Sequence, residues 1–174
     1  MSNRIASAML ALSLATGPAP ADPAALTRLL DERAIIQAAD SIDRAVDAKD
    51  WPAARTHLAD SVAVDFTSLI GGAPAVIQAD ALIQGWAANL GPRKTSLHLR
   101  TNHQATITGD AAVLISHGYA WNRMEGNGDP LWEVWGVYEH RLQRSAAEWK
   151  VTGFTFRMTH ERGNLWVKTT PSGR

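Results

Sequence analysis

The feature that most constrains this chain is a change of hydrophobic period near residue 95. Before it, apolar residues recur at helical spacing. Ile35, Ala39, Ile42 and Val46 form one stripe, and Asp40, Asp43 and Asp47 form an acidic stripe beside it. After it, alternation of period two runs through four long stretches, 97–108, 111–124, 131–143 and 148–160. The turn sequences TGD (108–110), EGNGDP (125–130) and RSAAE (144–148) separate them. Connections this short join antiparallel neighbours. Helices followed by long antiparallel strands make an α+β fold. A curved sheet wrapped around the N-terminal helices then encloses a cone closed at one end.

The helical half divides further. Asp22-Pro23 is a start signal for a helix over 22–50, and Asp50 with Pro52 restarts it. SVAVDF (61–66) alternates as a short strand, and IGGAP (70–74) is a loop. VIQADALIQGWAANL (76–90) has helical spacing and ends at Gly91-Pro92. One domain over 22–162 accounts for these elements, and 163–174 is expected to be a loose tail whose Trp166 can fold over a pocket mouth. The first 21 residues carry a basic start, the apolar run IASAMLALSLA and the small-x-small sequence Ala19-Pro20-Ala21. That order is the pattern of a signal peptide, so a periplasmic or secreted location is expected.

Charge and cysteine usage narrow the chemistry. The chain has 174 residues, with 17 Lys plus Arg against 17 Asp plus Glu. A neutral chain without a basic cluster gives no reason to expect nucleic acid or an anionic membrane as partner. With no cysteine, disulfides, thiol catalysis and cysteine-ligated zinc are excluded. The apolar run at the N-terminus is too short to span a bilayer. Nucleophile-elbow, phosphate-loop, zincin and dinucleotide motifs are lacking. The seven tryptophans exceed what core filling needs, and aromatic lining of an apolar small-molecule pocket is their second use.

Strand parity sorts the candidate residues. On 97–108, His98, Arg100, Asn102 and Gln104 share a face, and Leu99, Thr101, His103, Ala105 and Ile107 share the other. His98 and His103, five apart, then point to opposite sides, so a shared metal ion is not expected, and His103 is assigned to the far face of the sheet. On 111–124, His117, Tyr119, Trp121 and Arg123 form an aromatic and basic face that reads as a pocket wall. The small residues opposite, Ala112 to Asn122, suit packing on another layer or subunit. On 131–143, Trp132 and Tyr138 are favoured toward the cavity; a slip of one residue exchanges them for Glu133 and Trp135. Asp47 and Asp43 compete as the functional helix carboxylate, and Asp40 is expected to pair with Arg44 at i,i+4.

VDAKDWPAARTHLADSVAVDF (46–66) resembles the opening of the SnoaL-like and scytalone dehydratase-like proteins of the nuclear transport factor 2-like superfamily. SLHLRTNH (96–103) resembles their His-x-x-x-Asn strand. GVYEHRLQR with EWKV (136–151) resembles their closing strands. The resemblance covers roughly residues 28–160. It implies the cone-shaped, cystatin-like α+β fold. It also implies an acid/base dyad of Asp47 and His98; with the residues that strand parity turns toward the cavity, the expected substrate-binding set is Phe66, His117, Tyr119, Trp121, Arg123, Trp132 and Tyr138. The two pocket tyrosines of the dehydratases fall on Val46 and Phe66, which donate no hydrogen bond. Their second histidine falls near Arg123 and a pocket asparagine near Tyr138.

A neutral imidazole is a base near pH 7, and a carboxylate on one ring nitrogen fixes its tautomer. Such a dyad suits dehydration, double-bond isomerisation or cyclisation of a small, mostly apolar cyclic or polyketide-like substrate, with no cofactor and no metal. The alternative is an exported, non-catalytic binding or accessory domain with the same aromatic pocket. A third reading is a structural domain that pairs with a copy of itself through the sheet.

Overall fold

The acidic stripe and the strand run are brought face to face by one long helix crossing a strongly bent sheet. The computed structural model describes residues 22–146 and 148–172. Helix α1 spans Pro23–Ala48. Asp22 caps it, accepting from the Ala24 N–H at 3.0 Å, with Pro23 at the first helical position. It ends at Lys49, whose left-handed φ of 62° turns the chain away. Helix α2 (Trp51–Thr56) restarts under the Asp50 cap. There follow β1 (Leu58–Asp65), α3 (Thr67–Ile70), β2 (Ala75–Gln78), α4 (Ala79–Asn89), β3 (Thr95–Thr108), β4 (Ala111–Arg123), β5 (Leu131–Ser145), β6 (Glu148–Gly163) and α5 (Leu165–Thr169). The sheet order is β2-β1-β6-β5-β4-β3. All pairs are antiparallel except β1 with β6.

The core lies where α1 crosses the concave side. Ile35, Ala39 and Ile42 are buried in one cluster with Leu114, Leu142 and Val151. Two stretches differ from the expected elements. Residues 76–90 divide, because β-branched Val76 and Ile77 pair with Ala63 and Val62 before the helix begins at Ala79. The C-terminal residues are tied down rather than loose. The Ser172 N–H donates to the Ala88 carbonyl at 3.0 Å, and α5 packs on β4 and β5. Trp166 stacks over Gly126, where a Cβ would lie 3.1 Å from its ring. Residues 1–21, read as an export signal, lie outside the described residues. Among the described residues no helix is long and apolar enough to cross a membrane.

A bulge in β3 changes its parity. The pairing with β4 shifts between Thr101 and Gln104, and Asn102 has φ 54°. His98 and Arg100 before the bulge, and His103, Ala105 and Ile107 after it, therefore face α1 together. His103 does not lie on the far face; the simple odd-spacing argument fails because one extra residue is inserted. Further register shifts in the β5–β6 pair bend the sheet again.

The concave side is hollowed by small residues. A Cβ at Gly118 would fall 2.1 Å from Tyr138 Cε2, and one at Gly136 would fall 2.4 Å from Phe156 Cε2. Both rings lie across the neighbouring strand in space that only glycine leaves. The small face of β4 is thus the inner one.

Candidate active site

Helix and strand spacings match here. Two residues on a strand advance by about 6.6 Å, and four on a helix by about 6 Å. Asp43 and Asp47 on α1 therefore meet Arg100 and His98 on β3, and Asp40 meets His103 beyond the bulge, at 3.2 Å. The expected Asp40–Arg44 pair does not form; Arg44 Nη2 donates to Ser41 Oγ at 2.6 Å.

Asp47 is the most heavily bonded of the three carboxylates. Its Oδ1 accepts from His98 Nδ1 at 2.7 Å and from Ser96 Oγ at 2.9 Å, and its Oδ2 accepts from the His98 backbone N–H at 2.7 Å. Ser96 Oγ accepts in turn from Lys49 Nζ at 2.8 Å. The left-handed turn at Lys49 aims that side chain at β3. Burial pushes the Asp47 carboxyl up, but the hydrogen bonds and charge of His98, with those of the His98 amide and Ser96, hold it below the ordinary carboxylate value. An ionised carboxylate only accepts, so in the neutral imidazole the His98 proton would sit on Nδ1 and leave Nε2 with a lone pair.

Arg100 is sealed, with 1% of its side chain exposed. Its Nη2 donates to Asp43 Oδ1 at 2.6 Å and its Nε to Asp43 Oδ2. Burial opposes its charge, yet the bidentate carboxylate more than offsets that. Nη1 donates to His140 Nε2 at 3.1 Å. Burial, with the charges of Arg100 and His103, holds His140 far below the ordinary imidazole range, so it is neutral. Its Nδ1 has no partner among the described residues. Arg100 lies 3.9 Å above the Tyr138 ring centroid. Burial, reinforced by Asp43 and Asp47 and opposed by Arg100, raises the Tyr138 phenol, so it stays a hydrogen-bond donor.

Of these groups Asp43, His98, Arg100 and Tyr138 line a cavity of about 430 Å³. Its walls are mainly apolar, including Ile42, Val46, Phe66, Leu82, Trp86 and Phe154, with Asp43, Asn89, His98, Arg100, Asn122, Tyr138 and Lys168 as polar points. Of the residues singled out in the sequence, Asp47 and His98 are joined, and Phe66, Trp132 and Tyr138 line the cavity. His117, Tyr119, Trp121 and Arg123 do not; they lie on the outer face. There Tyr119 stacks on Trp135 at 5.0 Å and donates to Glu133 at 2.7 Å, and Arg123 pairs with Glu125. The pocket wall and the packing face of β4 were exchanged because small residues, not large ones, make room for a ligand. Arg100 was visible beside His98 on the strand pattern. Asn122 and Lys168 carried no signal, since the first reads as a packing residue and the second as tail.

A family model described as a SnoaL-like domain matches residues 27–155. No curated protein matches the sequence. Solved structures do resemble the chain. The Kfla4162 protein of Kribbella flavida is 22% identical with a TM-score of 0.77, over 82% of this chain and 99% of that one. A protein of Novosphingobium aromaticivorans provisionally named a scytalone dehydratase is 17% identical with a TM-score of 0.70, over 79% and 90%. A hexachlorocyclohexane dehydrochlorinase of Novosphingobium barchaimii is 16% identical with a TM-score of 0.68, over 79% and 92%. At these identities the likeness carries the fold, which is nuclear transport factor 2-like.

Proposed function

The chain belongs to the SnoaL-like domain family, and from that premise we propose that it is a cofactor-free lyase or isomerase acting on a small, mostly apolar cyclic substrate. The observation that carries this is the 2.7 Å contact between His98 Nδ1 and Asp47 Oδ1 at the wall of an apolar cavity. His98 Nε2 takes a proton from carbon, and Asp47 stabilises the imidazolium as it forms. The Tyr138 hydroxyl makes no hydrogen bond among the described residues and serves as donor to the enolate oxygen or leaving hydroxyl, with the Arg100 charge behind its ring. His98 then returns the proton, to another carbon in isomerisation or to the departing oxygen in dehydration. The pairing of a dehydratase-like protein and a dehydrochlorinase among the structural relatives accords with proton abstraction as the shared step.

The test is exchange of α-hydrogens of 2-tetralone for deuterium in D2O, followed by NMR. Wild type accelerates exchange, and His98→Ala reduces it about 10²- to 10⁴-fold, the usual contribution of a general base. Equal rates in the two proteins would refute the mechanism. A second reading is a non-catalytic binding domain. It is favoured by Val46 and Phe66, which present hydrocarbon at the cavity wall. It requires no exchange by wild type and ligand affinity that survives His98→Ala. The basic start, apolar run and Ala19-Pro20-Ala21 support export, which N-terminal sequencing of protein recovered from the periplasm or medium checks.

A further inference from the structure

Beside the dyad the cavity carries a second row of polar groups, and one group on it is unused. Ser96, Asn122 and Trp132 form a row across β3, β4 and β5 by pairing of Ser96 with Asn122 and of Asn122 with Trp132. On this side Glu161 Oε2 accepts from Trp132 Nε1 at 3.0 Å and from Lys168 Nζ at 2.8 Å. Asn89 Oδ1 accepts from Lys94 Nζ at 2.9 Å. The charged and polar groups at this end are therefore answered, with the exception of Asn122. Asn122 is 6% exposed and lines the cavity, its Oδ1 has no partner, and its side chain makes no hydrogen bond among the described residues. A buried amide left unpaired is destabilising, and its terminal torsion is soft enough to turn either end to a ligand.

We propose that Asn122 is a specificity residue that reads a neutral oxygen function, a hydroxyl or carbonyl, on the molecule held in the cavity. The amide supplies both a donor and an acceptor, which suits such an oxygen. Because Lys168 is neutralised by Glu161, a carboxylate is not the group this wall selects. Position sets where that oxygen lies. His98 pairs with Ala120 and Asn122 with Ser96, so His98 and Asn122 are diagonal neighbours on one face, about 7–8 Å apart along the backbone. The ligand is thus a ring system carrying its recognised oxygen roughly one ring away from the atom that His98 addresses. The inference shares with the proposed function only the premise that this cavity holds the ligand; it does not need His98 to be a base.

Equilibrium dialysis with 2-naphthol, naphthalene and 2-naphthoate tests it. Wild type is expected to bind 2-naphthol roughly tenfold more tightly than naphthalene, the scale of one hydrogen bond, and to reject 2-naphthoate. Asn122→Leu is expected to bind 2-naphthol and naphthalene alike. Asn122→Ala, which adds no bulk, must show the same loss, should the leucine perturb folding. The melting temperature of Asn122→Leu is expected to equal or exceed that of wild type, since an unpaired buried amide is removed; a structural role would lower it. Retained preference in both Asn122 variants, a wild type without preference, or selection of 2-naphthoate would each overturn the proposal. None of these results bears on deuterium exchange, so the two readings fail separately.

Discussion

Arg100 lies between Asp43 and Tyr138, bonded to both carboxylate oxygens of the one and stacked 3.9 Å above the ring of the other. This buried pair costs desolvation on both sides, and its removal is asymmetric. Arg100→Met leaves Asp43 as an uncompensated buried carboxylate and is expected to cost about 3–5 kcal/mol. Changing both residues, Asp43→Leu with Arg100→Met, should recover much of that loss. Urea unfolding of the two single variants and the double variant checks the non-additivity. Additive losses would mean that the pair is not coupled.

Asp47→Asn keeps the shape of the dyad but removes the charge that stabilises the imidazolium in the proposed mechanism. An asparagine can also present its NH2 group to His98, which favours the wrong tautomer. The expected result is a loss of at least about 10² in exchange rate with the fold retained, read from the near-ultraviolet dichroism of Trp86 and its neighbours.

The same residue sets part of the acid limb of stability. The Asp47 carboxyl is held below its ordinary value of 3.8 in the folded protein, so below that value the unfolded chain binds more protons. The resulting stability is fully present above the unfolded value and is lost as pH falls through the folded one. Wild type should therefore lose stability more steeply than Asp47→Asn below pH 3.8. Melts in a citrate–phosphate series measure it, and parallel curves would contradict the assignment.

Gly118 holds open the seat of Tyr138. Its missing side chain would meet Tyr138 Cε2 at 2.1 Å. Gly118→Ala must tip that ring and with it the surface on which Arg100 rests. Overpacking of this kind costs about 1–3 kcal/mol, or roughly 2–12 °C in melting temperature for a domain of this size. Adding Tyr138→Leu should return most of the lost stability, which a thermal melt of the double variant tests.

Much of the fold was legible because period is a local property. The Ile35–Val46 stripe, the strand boundaries and the two-residue alternation of β5 all follow from which residues must leave water. The dyad was reached through the resemblance, and equal advance along helix and strand accounts for its geometry. What the pattern hid was non-local. Nothing around Asn102 announces an inserted residue, yet that insertion turns His103 toward Asp40. The inner face of β4 was misjudged because aromatic residues suggest a pocket, whereas here Tyr119 and Trp121 clothe the outside and Gly118 and Ala120 make the hollow. The tail was underrated because its anchors, Lys94 and the Ala88 carbonyl, lie some 80 residues earlier in the chain.

Lys94 provides the alkaline counterpart to Asp47. It is fully buried, and its ammonium donates to Asn89 Oδ1 and to the Thr170 carbonyl, each at 2.9 Å, with no carboxylate beside it among the described residues. Burial, with the charge of Lys49 adding to it, pushes its pKa down to about 8 from 10.5. Between those values the unfolded chain binds more protons than the folded one, so stability should rise with pH across that interval. The rise reports relief of a buried charge; it is not the gain of a new contact. Lys94→Met carries no such charge and should lack most of the rise. A residual slope is expected from Lys49, which burial also lowers. Around pH 7 the methionine variant loses two hydrogen bonds that tie the C-terminal segment to α4 but is spared the desolvated ammonium, so its melting temperature should lie close to that of wild type. Above pH 10 wild type should be the more stable of the two. Melts of both proteins from pH 7 to 10.5 measure the crossover, and a wild-type curve that falls in parallel with the variant would show that Lys94 reaches water in the folded state.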